Sequence, residues 1–108
     1  MPLFEERRSE PRRPSSRRAV IIAPGVEVAC LITDESNGGV RIRLDRRTGL
    51  PDAVQLIDID GGFADDLVIA WRREMEIGGR LRARASLRGL VPHRLASARE
   101  AWIRAGGR

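Results

Sequence analysis

TDESNGGVRIRL, residues 33–44, joins a polar stretch carrying two adjacent glycines to a strictly alternating run. In its second half Val40, Ile42 and Leu44 fall on one side of an extended chain and Arg41 and Arg43 on the other. Side chains of a strand alternate with a period of two, so this segment reads as a strand with one face in a core and the other in water. The residues ahead of it read as a polar turn, since asparagine and glycine suit tight turns for backbone reasons alone. Asp34 and Ser36 stand in that same stretch and bring a carboxylate and a hydroxyl to the edge of a strand.

Similar short runs lie on either side. AVIIA, from Ala19, stops at the turn dipeptide Pro24-Gly25 and is followed by the β-branched VEVACLI. Downstream come AVQLIDI, a turn at Asp60-Gly61-Gly62, DLVIAWRR and MEIGGRL. In the last, Met75, Ile77, Gly79 and Leu81 share one face, with Glu74, Glu76 and Arg80 on the other. Strands this short and evenly spaced, without helices between them, predict an antiparallel sandwich or barrel, because closure removes exposed edges. Trp71, near the end of an apolar run, is expected in the core. After Pro92, the spacing of Leu95, Ala98, Trp102 and Ala105 predicts a helix that lids the barrel, with Gly106-Gly107 as its stop.

The chain of 108 residues fits one domain, and 42% hydrophobic with 32% charged residues is a globular balance. All 20 basic residues are arginine, and they cluster at the two ends. Residues 1–18 hold six arginines against three glutamates, whereas residues 19–71 hold four arginines against nine acids. The organisation expected is a flexible arginine-rich segment over 1–18, a barrel over 19–91 and a C-terminal helix and tail over 92–108. A segment with three prolines and almost nothing apolar after Phe4 cannot offset chain entropy by burial. No run approaches a membrane span and the start has no apolar signal core, so no membrane insertion is expected. The single cysteine, Cys30, lies in an apolar stretch; it is expected as a small buried residue in a reducing, cytoplasmic setting.

Catalytic constellations are thin. With one histidine, His93, one cysteine and no lysine, a triad, a Schiff base and a zinc cluster all lack parts. Asp58, Asp60, Asp65 and Asp66 flank Gly61-Gly62 and read as turn acids rather than metal ligands. No enzyme activity, resident cofactor or metal is expected. Binding chemistry is better supplied. Arg8 and Arg12 are four apart in RSEPR, and Arg13 and Arg17 repeat the spacing in RPSSR. A guanidinium can clamp a phosphate, meet the O6 and N7 of guanine in one plane, or stack on a purine. A carboxylate such as Asp34 accepts from guanine N1–H and N2–H; Ser36 can donate to a phosphate, and Gly39 admits a positive φ or a close ligand.

In these two motifs the chain resembles the PilZ domain, a family of bacterial receptors for cyclic di-GMP. The family pattern is an Arg-x-x-x-Arg stretch followed by an Asp/Asn-x-Ser-x-x-Gly turn. Here Arg8 and Arg12 answer the first, and Asp34, Ser36 and Gly39 the second, with 22 positions from Arg12 to Asp34. VIAWRREMEIGGRL is similar to the late strand pair of such domains, and the likeness spans about residues 5–82. It implies a six-stranded antiparallel barrel that holds cyclic di-GMP. Arg8 and Arg12 would grip phosphates and guanine edges, with Arg7 and Arg13 alongside; Asp34 and Ser36 would hold the base and Gly39 would shape the turn. The pair Arg13 and Arg17 also fits the first motif. Ligand-induced ordering of the N-terminal segment would signal to a downstream protein, in processes such as motility or biofilm formation. The alternative is a non-enzymatic interaction module of the same fold that ignores the nucleotide and docks through its basic C-terminal helix. Direct nucleic-acid binding is disfavoured by the scarcity of aromatics for base stacking.

Overall fold

The structure, a computed structural model, describes residues 13–108, with side chains from Ser16 onward. Six antiparallel strands, β1 (Arg13–Ala23), β2 (Val26–Ser36), β3 (Gly39–Leu44), β4 (Ala53–Asp58), β5 (Phe63–Arg73) and β6 (Glu76–Ser86), close into a barrel in the order β1-β2-β3-β6-β5-β4. A 3-10 turn, His93–Leu95, leads into helix α1 (Ala96–Arg104). Closure comes from β1 pairing with β4, Ala19 to Asp58 through Ile22 to Gln55, so no edge strand is left open.

Two apolar clusters explain why the strands differ in pattern. The barrel interior is filled by Ala19, Ile21, Val28, Cys30, Ile32, Val40, Ile42, Leu44, Leu56, Leu67, Ile69 and Ile77. On β3 this is the alternation that VRIRL predicts. Strands β1 and β4 are buried on both sides, because Val20 and Ile57 point outward into a second cluster with Leu87, Leu95, Ala98, Ala101 and Trp102. Hence the continuous apolar runs AVIIA and LIDI. Helix α1 has only nine residues, too few to persist alone in water. It is held by this packing, by the Trp102 Nε1–H bond to the Ile59 carbonyl at 2.8 Å, and by a C-terminal cap. Gly106, at φ 100°, lets the Gly107 N–H reach the Trp102 carbonyl at 2.8 Å, which makes the glycine pair a helix stop as predicted.

Three expectations are corrected here. The barrel begins at Arg13 rather than Ala19, because polar residues of β1 find partners across the barrel. Arg13 and Pro14 pair with Glu35 and Asp34 on β2, and Arg17 is ion-paired with both Glu35 and Asp58, at 2.9 Å for the latter. The remainder of the arginine-rich segment, with Arg7, Arg8 and Arg12, lies outside the described residues. Second, Asp34 and Ser36 belong to β2 itself, and the turn is only Asn37-Gly38, with Ser36 facing Gly39 across it. The positive φ falls on Gly38 (75°), not on Gly39. Third, Asp65 and Asp66 are strand residues. Asp65, 3% exposed, takes a bidentate bond from Arg84 at 2.7 and 3.0 Å, and Asp58, 5% exposed, also accepts from the Gly61 N–H at 3.0 Å. Of the four acids flanking the glycines, Asp58 therefore does cap the β4–β5 turn. By register Arg17, Glu35, Asp58, Asp65 and Arg84 all fall on the inward side at one end of the barrel, where they form a charged plug above the apolar interior.

Candidate functional site

The site is made by two breaks in strand register. On β2, Ile32 pairs with Ile42 and Asp34 with Arg41, so Thr33 is an extra residue, a β-bulge. Its hydroxyl bonds the Arg41 carbonyl at 3.2 Å. The bulge shifts the strand's phase by one: Ile32 and Glu35 both match inward positions, while Asp34 and Ser36 come to the outside beside Arg41 and Gly39. On β5, Ile69 pairs with Gly79 and Trp71 with Gly78, so Ala70 is the extra residue and Trp71 is likewise turned outward.

Both shifts serve one cavity of about 800 Å³ on the outer face of β2-β3-β6-β5, lined by Asp34, Ser36, Gly39, Arg41, Ala70, Trp71, Arg73, Gly79 and Arg80 among others. The volume lies in the range of small-ligand pockets. Trp71 is 39% exposed, which corrects the expectation that it is core. Its indole lies against Gly78, where a Cβ would collide with the ring, and the Arg41 guanidinium sits 5.7 Å from its centroid. That separation is within cation–π range. Gly79 lets β5 and β6 approach closely, since a Cβ there would strike the Val68 carbonyl. Arg41 also reaches Glu76 at 3.8 Å.

The structure thus brings together Asp34, Ser36 and Gly39 of the expected set. Gly39 is there without backbone need; its Cβ position would meet the Gly79 carbonyl and Ser36 Oγ at an ordinary 3.7 Å. Arg13 is described by its backbone alone, at the start of β1 opposite Glu35; Arg7, Arg8 and Arg12 lie outside the described residues. Arg17 is held away from the cavity lining by Glu35 and Asp58. Sequence reasoning misses Arg41, Arg73, Arg80 and Trp71 as site residues. A signal for Arg41 is present, as an outward arginine in VRIRL one strand from Asp34.

Three guanidiniums, one carboxylate, one hydroxyl and an indole suit an anionic ligand that also has a planar, hydrogen-bonding part. Among the described residues no group of three His, Cys, Asp or Glu could hold a metal, and no helix is long and apolar enough to cross a membrane. Cys30 is buried in the barrel, and burial pushes its thiol up to about 12. Compared with protein-family models, with curated proteins and with solved structures, the chain matches none of them.

Proposed function

We propose that the chain is a cytoplasmic PilZ-type receptor that holds cyclic di-GMP in this outer-face cavity and passes the signal to a partner protein. The observation that carries the reading is the Thr33 bulge, which turns Asp34 and Ser36 of the Asp-x-Ser-x-x-Gly match into a cavity already lined by three arginines and a tryptophan. Each part of the ligand has a complement. Asp34 can accept from the guanine N1–H and N2–H, the arginines can meet the phosphodiesters, and Trp71 presents a flat surface to a purine. The described chain begins at Arg13 opposite Glu35, with Pro14 opposite Asp34, so the Arg8 and Arg12 stretch leads in sequence into a strand that pairs with the second motif.

Calorimetry with cyclic di-GMP tests the reading. Arg8→Ala or Arg12→Ala is expected to weaken binding by about tenfold or more, the loss of one charge-assisted phosphate or base contact. Asp34→Ala is expected to erase the preference for cyclic di-GMP over cyclic di-AMP more than the attraction to phosphate. Wild-type affinity in the Arg8/Arg12 double variant would move the role to Arg13, since Arg17 is occupied by two carboxylates. Absence of heat from the wild-type chain at ligand concentrations of about 100 µM would overturn the receptor reading.

The helix is a poor docking element. Its apolar side is spent on the barrel, Arg104 is paired with Glu27 at 2.6 Å, and Arg99 donates to the Gly89 carbonyl at 2.7 Å.

A further inference from the structure

The positive character of the cavity continues beyond its walls. Cross-strand pairing arranges the outer face of β3-β6-β5 in rows: Arg43, Glu76 and Arg73, then Arg41, Gly78 and Trp71, then Gly39, Arg80 and Val68, with Arg82 exposed at the next bulge of β6. Among the described residues Arg43, Arg73, Arg80 and Arg82 have no ion-pair partner. Elsewhere several arginines are ion-paired, Arg72 with Asp52 at 2.7 Å, Arg84 with Asp65 and Arg47 with Glu74 at 3.2 Å, while exposed Arg94, just ahead of the helix, has no ion-pair partner among the described residues. Arg43, Arg73 and Arg80 thus place three cations without ion-pair partners on the side of the barrel that the helix does not cover. Val68 and Leu31, each over a third exposed, lie on the same face, Leu31 directly across from Arg43. Like charges crowded on one face repel one another, and a partner of opposite sign relieves that cost.

We propose that this face docks an acidic, partly aliphatic segment of a partner protein, and that the segment and the dinucleotide exclude each other because both need Arg41, Arg73 and Arg80. The exclusion rests on the receptor reading above; the docking does not. Guanidiniums spaced about 5 Å across strands and about 7 Å along them can each take a carboxylate in bidentate fashion. Exposed Val68 and Leu31 give aliphatic side chains something to cover, which a nucleic-acid backbone would not use. A single indole offers one stacking platform, where single-stranded nucleic acid is held by successive ones. The closed barrel rules out added-strand recognition, so side chains must read the partner.

The test uses fluorescence anisotropy with a labelled synthetic peptide of glutamates interspersed with leucines, on the full chain. The wild type is expected to bind it, and the Arg43→Ala/Arg82→Ala variant, altered outside the cavity lining, to bind about tenfold or more weakly while keeping its affinity for cyclic di-GMP. Saturating cyclic di-GMP is expected to displace the peptide. Peptide binding unaffected by the double substitution, or absent from the wild type, overturns the docking. Dinucleotide that binds by calorimetry without displacing the peptide overturns the exclusion. If the peptide binds and the dinucleotide gives no heat, the receptor reading and the exclusion fall together and the docking stands. Tighter, arginine-dependent binding of oligo-dT or of phosphatidylserine vesicles overturns the acidic segment in favour of a phosphate-bearing partner.

Discussion

Raising the pH from about 9 to about 12 is expected to remove up to about 4 kcal/mol of stability from the wild-type chain and almost none from Cys30→Ala, because holding a proton costs about 1.4 kcal/mol for every pH step between the unfolded and folded thiol. The thiol's ordinary value of 9.0 is pushed to about 12 by burial in the barrel interior. A folded value above the unfolded one means that the unfolded chain gives up this proton first. The stabilisation is thus fully present below pH 9 and lost as pH climbs towards 12. The chain is unusually suited to the measurement, because it has no lysine and no tyrosine to titrate in the same interval, and its arginines stay charged. Urea unfolding across a pH series for the two proteins gives the slopes. Equal alkaline slopes would mean that the thiol is not buried as described.

Trp102→Ala is expected to cost about 3–5 kcal/mol, the range for emptying a buried aromatic site. Trp102 is 3% exposed, bonds the Ile59 carbonyl, and carries the Arg88 guanidinium 5.4 Å above its ring. It is also the largest residue between the helix and the outward side chains of β1 and β4, so its loss uncovers Val20 and Ile57. A helix of nine residues does not survive without its packed face, so the helical circular dichroism signal should fade before the β signal. Ile103→Ala, on the exposed side of the same helix, should change stability by less than about 0.5 kcal/mol. Similar losses for the two substitutions would contradict the docking of α1 through Trp102. Because the helix lies against β1 and β4, and the cavity on β2-β3-β6-β5, measurements on a partly melted Trp102 variant also report whether the site survives loss of the helix.

The fold is readable where burial is one-sided. VRIRL and the Leu95–Ala98–Trp102 stripe report their faces directly, since each period of the chain maps onto a period of burial. The start of β1 is not, because Arg13–Arg18 contains no apolar signal. Its pairing depends on Glu35 and Asp58, which are distant in sequence and become neighbours only when the barrel closes. Of the site, the spacing of Asp34, Ser36 and Gly39 is visible, and their position in one cavity follows from the hairpin. Trp71 misleads because the apolar run VIAW suggests continuous burial, while the extra residue at Ala70 rotates the ring out of the core. Arg73 and Arg80 could be assigned to an outer face or to none; only the pairing of three strands shows that they converge.

The bulge at Thr33 acts on the strand as a reading frame acts on a coding sequence. Upstream of it, even positions from Val28 to Ile32 point into the barrel; downstream, Asp34 and Ser36 keep the same parity yet face out. Were Thr33 paired in the ladder instead of set aside, every functional side chain would keep its place along the chain, yet the carboxylate would turn inward and Glu35 outward. What this segment encodes is therefore a register as much as a composition: the faces of Asp34 and Ser36 are set by their pairing with Arg41 and Gly39 across the hairpin, not by their parity with Ile32.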